Sequence, residues 1–143
     1  MIEEIATITL PDGFGSPYGM HLGEITSIGF SSQSKNTDLV MTQFPEGTPL
    51  NTEEIVKLIS KYSSDSGNRW DNSRAKVVEE KPVTIRGQET MLTTSEGISS
   101  DGTPYRTAIA TFQGRGGPAF VMIAGTLDEW DTAMVENFIA SIQ

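Results

Sequence analysis

The 143-residue sequence contains no cysteine, a single histidine and only 10 basic residues against 19 acidic ones. Each shortage removes a class of chemistry. Without cysteine there is no disulfide, no thiolate metal site and no cysteine nucleophile. The one histidine, His21 in "YGMHLG", has no second histidine or cysteine with which to complete a zinc site. As a general base it would need a neighbouring nucleophile and an orienting carboxylate. A structural or exposed histidine is the expectation. The scarcity of basic residues leaves a net charge of −9, which repels phosphate backbones and anionic lipid headgroups, so nucleic acid is not an expected partner.

Long hydrophobic runs are missing too. None approaches the roughly 20 residues needed to span a bilayer, so direct membrane insertion by this segment is not expected. The opening "MIEEIATITL" carries glutamates where a signal peptide carries a basic region, so it is not read as one. The chain is expected to be soluble. A strand-like segment begins almost at Met1, which leaves two placements open: a natural cytoplasmic start, or an extracytoplasmic, membrane-tethered domain trimmed at its edge.

What remains is enough for a single domain over residues 1–143 that buries roughly two-thirds of its unfolded surface. Ile2, Ile5, Ile8 and Leu10 read as a first strand stopped at Pro11-Asp12-Gly13. "GFGSPYGMHLG", Gly13 to Gly23, reads as a loop because glycine and proline punctuate it. Glu24 to Phe30 and Leu39 to Phe44 read as a hairpin around a polar turn, with a change of phase in the first strand that suggests a bulge. Asn51 as cap, Glu54 reaching back and Leu50 stapling onto Ile55 predict a helix from about Thr52 to Ser64, with Ile55, Leu58, Ile59 and Tyr62 as its stripe.

From Ala75 to Gly125 the pattern becomes four strands in an antiparallel meander, with Pro82 at an edge or bulge, Gly87 at a turn and Ser100-Asp101-Gly102 at a hairpin. "AFVMIAG" is apolar on both pleat faces, which predicts a central strand covered on both sides. Thr126-Leu127-Asp128-Glu129 has the form of a capping box and opens a second helix, whose stripe is Leu127, Trp130, Met134, Phe138 and Ile142, flanked by Val135 and Ile139.

Few motifs suggest chemistry. "GRGGP" leads from a strand into another strand, whereas a phosphate loop leads into a helix, so it reads as a turn, with Arg115 as a weak anion-site candidate. The carboxylate pairs Glu53-Glu54, Glu79-Glu80 and Asp128-Glu129 could suggest acid/base chemistry or calcium, but the first and last fall in helix first turns, where the dipole favours negative charge. "DSGNRWDN" fails as a calcium loop because glycine falls at its third position and Lys76 at its twelfth. In the same loop Trp70 either caps the core or, beside Arg69 and Asp71, forms a partner-binding surface with the aromatic-plus-arginine character of an interface hot spot. No catalytic residue, nucleotide, haem, flavin or structural metal is expected.

The parts "LP.G" at Leu10 to Gly13, "QFP" at Gln43 to Pro45, "IRGQE" at Ile85 to Glu89 and "FIASI" at Phe138 to Ile142 resemble the PsbP-like superfamily. That group takes in the photosystem II extrinsic protein, a Ran-binding relative and bacterial DcrB-like lipoproteins. The nearest likeness is to bacterial membrane-anchored domains of unknown function. The resemblance covers nearly the whole chain in order of elements, and its motifs are structural. It implies an α+β fold, mainly an antiparallel sheet of about six or seven strands with two packed helices in an α/β/α sandwich. The expected function is a non-enzymatic binding or protein-interaction domain with an unidentified protein partner, serving as the soluble part of a membrane-tethered bacterial envelope protein. The alternative is a small-molecule-binding or hydrolytic enzyme whose carboxylates converge only in the fold.

Overall fold

Ala119 to Thr126 are buried without interruption, which makes the strand Pro118–Thr126 the spine of the molecule. A computed structural model describes residues 5–8, 13–32, 37–48, 76–98 and 102–143. They form seven strands: β1 (Phe14–Leu22), β2 (Ile25–Ser32), β3 (Thr37–Gln43), β4 (Lys76–Ile85), β5 (Gln88–Ile98), β6 (Pro104–Gln113) and β7 (Pro118–Thr126). A 3-10 turn, Leu127–Glu129, and one helix, α1 (Thr132–Ser141), follow. All strands join one antiparallel sheet in the order β1-β2-β3-β7-β6-β5-β4. Two meanders, β1 to β3 and β4 to β7, therefore meet along β3 and β7.

The expected α/β/α sandwich with two packed helices is corrected by this arrangement: the described residues hold a single α-helix on a sheet of seven strands. Two element readings change as well. Gly13 to Gly23, read as a loop, supplies β1, because an edge strand tolerates Pro17 where its register with β2 slips between Gly15 and Tyr18. The second helix also starts later than its pattern suggests, because Thr126 pairs with Tyr105 and is held extended as the end of β7. The cap is Asp131, whose side chain accepts a 3.1 Å hydrogen bond from the Met134 amide. The helix expected over Thr52 to Ser64 lies outside the described residues.

The β4-to-β7 meander matches its sequence pattern closely. Pro82 sits on β4, the outer strand, where its missing N–H breaks no interior ladder. Arg86 and Gly87, both at positive φ, make the two-residue turn into β5.

Side chains divide by the pleat. On the helix side, Ile28, Leu39, Met41, Val121, Ile123 and Ala108 pack under Val135, Phe138, Ile139 and Ile142 of the helix segment. Burying each of these large side chains contributes up to about 1.5–3 kcal/mol. On the opposite side Phe44, Tyr105, Ile109, Phe120, Met122 and Ala124 form a second buried cluster. The opening segment departs from expectation: Ile5 to Ile8 are not a strand, although Ile5 and Ala6 are fully buried in the main core. Thr7 exchanges two backbone hydrogen bonds with Gln143, at 2.7 and 2.8 Å, which ties this segment to the end of the chain. Among the described residues no helix is long and apolar enough to cross a membrane.

Candidate functional site

A helix of 10 residues spans about 15 Å, whereas β5, with 11 residues, runs for about 36 Å. α1 therefore covers only part of the strands beneath it. Between its N-terminal end and β4, β5 and β6 lies a groove of about 190 Å³, floored by Leu92, Thr94 and Val135.

Strand irregularity shapes one wall. Val77 stands opposite Ser95 and Glu79 opposite Thr94, so Val78 is an extra residue in β4. A bulge of this kind redirects side chains that regular alternation would send to opposite faces. Val78 and Glu79 both line the groove as a result, and Val78 remains 49% exposed.

The opposite wall is built on a cross-strand row, in which Glu96 of β5 lies opposite Arg106 of β6. Direct opposition places an acid and a base within reach. The Arg106 Nε donates to Glu96 Oε1 at 2.9 Å and its Nη2 donates to the same oxygen. The guanidinium carbon also lies 5.8 Å from the centre of the Trp130 ring, within cation–π range. Trp130 is brought there by the 3-10 turn, whose last hydrogen bond runs from the Trp130 amide to the Leu127 carbonyl. The indole is half-buried, resting on the main core with part of its surface on the groove. Lys81 of β4 and Glu136 of α1 close the groove with an ion pair.

Two carboxylates here face cations, Glu136 meeting Lys81 and Glu96 meeting Arg106, while Glu79 lines the groove without an ion pair among the described residues. Among the described residues no group of three or more His, Asp or Glu side chains is placed to hold a metal ion. The volume also falls below the roughly 300–1,000 Å³ of typical small-molecule sites. It has room for about one side chain.

The residues singled out from sequence lie elsewhere. Arg69, Trp70 and Asp71 fall outside the described residues. Arg115 sits in the β6–β7 turn, where its amide donates to the Ile5 carbonyl at 2.9 Å and its guanidinium to Thr7 Oγ1 at 2.6 Å. It thus fastens the opening segment. The glycines around it have a packing reason: Gln43 Oε1 accepts from the Gly116 amide at 2.9 Å, and a Cβ on Gly117 would lie 2.0 Å from the Phe44 carbonyl oxygen. "GRGGP" turns a corner, as its strand-to-strand context predicts.

The groove residues themselves were not legible as a site. Trp130 reads as part of a core stripe, and Arg106 as one polar position in a strand. The adjacent valines of "KVVEEK" are the one local sign of the bulge, since two neighbouring apolar residues break strand alternation. No protein-family model and no curated protein sequence matches the chain.

Proposed function

We propose that this is a non-enzymatic protein-interaction domain that receives a polypeptide segment at the groove between α1 and β4–β6. The observation that carries the reading is the Arg106–Trp130 stack beside the bulged, exposed Val78. Tryptophan and arginine are the side chains that most often dominate binding energy at interfaces, above all where neighbouring groups exclude water. The hydrolytic alternative would need carboxylates turned toward each other, whereas Glu136 is turned toward Lys81 and Glu96 toward Arg106. Within the PsbP-like resemblance, the domain serves as the soluble part of a membrane-tethered bacterial envelope protein.

Panning a displayed peptide library against the immobilised domain tests the reading, with a Val78→Asp variant as counter-target. Val78 is exposed, so the variant should keep the parent circular dichroism spectrum and melting profile. Enrichment of peptides that bind the parent and lose most of their affinity for the variant is expected. Peptides that bind both proteins equally, or no enrichment at all, would remove the groove as an interaction surface.

A further inference from the structure

Charge inside the groove is unevenly committed. Lys81 is paired with Glu136, and Arg106 is held by Glu96. Glu79 lines the same groove from the bulge and has no ion-pair partner among the described residues. Around it stand apolar surfaces at three heights: Val78 at the rim, the Trp130 indole along the side, and Leu92 with Val135 at the floor. An anionic side chain entering this space would meet a carboxylate that no cation among the described residues pairs with, in a domain of net charge −9. A neutral apolar side chain would take water from Glu79 without replacing its hydrogen bonds. A long cationic side chain meets both requirements, since its methylene stem lies on apolar surface while its charged end pairs or stays hydrated.

We infer that the groove is a subsite for a lysine or arginine side chain of the bound polypeptide, with the cation on Glu79 and the stem along Val78, Leu92 and Trp130. This rests on the interaction reading above and adds the chemistry of the partner. The bulge then has a role in recognition: it turns the acid and the valine into the groove together, one for the charge and one for the stem. The negative domain steers basic segments toward it over a distance set by salt, about 10 Å at 0.1 M ionic strength.

The test is a two-dimensional NMR titration of the full chain with the N-acetyl, N'-methylamide derivatives of lysine, arginine, norleucine and glutamate. The lysine and arginine compounds should shift the Val78, Glu79 and Thr94 amides and the Trp130 indole N–H, saturating in the millimolar range. Norleucine, which keeps the stem and lacks the charge, should bind several-fold more weakly, and glutamate should not bind. Glu79→Gln, an exposed change that leaves the fold intact, should weaken the lysine compound about three- to fivefold, the range for a partly exposed ion pair. Equal binding of lysine and norleucine, no effect of Glu79→Gln, or shifts lying elsewhere would overturn the inference. Its failure is separable from that of the interaction reading. Groove-binding library peptides without a basic residue would sink the subsite alone, whereas saturable lysine binding with no peptide ever enriched would sink the interaction reading and leave the cation subsite standing.

Discussion

Arg106 and Glu96 face each other directly across the β5–β6 ladder, and two guanidinium nitrogens converge on one carboxylate oxygen. The pair is part-buried, which shields it from salt more than a free surface pair. It also fixes the guanidinium beside Trp130, so its geometry and that of the groove are linked.

A double-mutant cycle with Arg106→Lys and Glu96→Gln should therefore give a coupling energy of about 0.5–1 kcal/mol. Lysine keeps the charge but loses the planar fork and its stacking, so Arg106→Lys alone should lower Tm by about 2–5 °C. Thermal melts of the four proteins provide the measurement. Strictly additive effects would show that the pair contributes nothing beyond its separate residues.

Trp130 is half-buried, and Leu127, the first residue of the expected stripe, is 38% exposed. The helix is thus anchored by Val135, Phe138, Ile139 and Ile142 more than by its tryptophan. Trp130→Ala should destabilise by about 2 kcal/mol, short of the roughly 3–5 kcal/mol for a fully buried aromatic. In a Trp70→Phe background, acrylamide should quench Trp130 to an intermediate degree. Complete protection of the indole would contradict its place on the groove.

Two glycines at positive φ should respond differently to the same substitution. Gly87, at φ +75, has nothing among the described residues within 4 Å of an added Cβ, so Gly87→Ala bears only the backbone penalty of about 1–2 kcal/mol. At Gly117, φ +153, the added carbon would meet the Phe44 carbonyl oxygen at 2.0 Å, which forces backbone movement between β3 and the β6–β7 turn. Gly117→Ala should cost about 3 kcal/mol or more. Urea denaturation of both variants tests the order, and equal losses would show that the turn relaxes freely.

Thr37 is 2% exposed on β3 and its hydroxyl has no hydrogen-bond partner among the described residues. Valine has nearly the same shape without the polar atom. Thr37→Val should stabilise the protein by about 1 kcal/mol and raise Tm by a few degrees. A fall in Tm would mean that the hydroxyl is satisfied in solution.

Strands β4 to β7 were legible because their boundaries are written in residues with fixed backbone demands, such as Gly87 and Pro82, and because "AFVMIAG" can only sit between two covered faces. β1 was not, since an edge strand absorbs glycine and proline that would break an interior one. Nor was the start of α1, because Thr126 satisfies the capping pattern locally while its pairing with Tyr105 holds it in the sheet. The groove was hidden for a related reason. Glu79, Arg106 and Trp130 become neighbours only through ladder register and a one-residue bulge, and neither leaves more than a faint trace in the local pattern.

The seam between β3 and β7 also sets the order in which the chain can fold. Each meander closes through neighbouring hairpins, but the rungs from Thr37 opposite Gly125 to Gln43 opposite Ala119 join distant parts of the chain. Loop-closure entropy opposes those rungs until both halves exist. Until they form, Val121 and Ile123 lack Met41 and Leu39 as cross-strand partners, so a half-folded chain exposes its most apolar strand as an open edge. The native sheet hides that edge at its centre, leaving the charged, proline-bearing β4 at one margin.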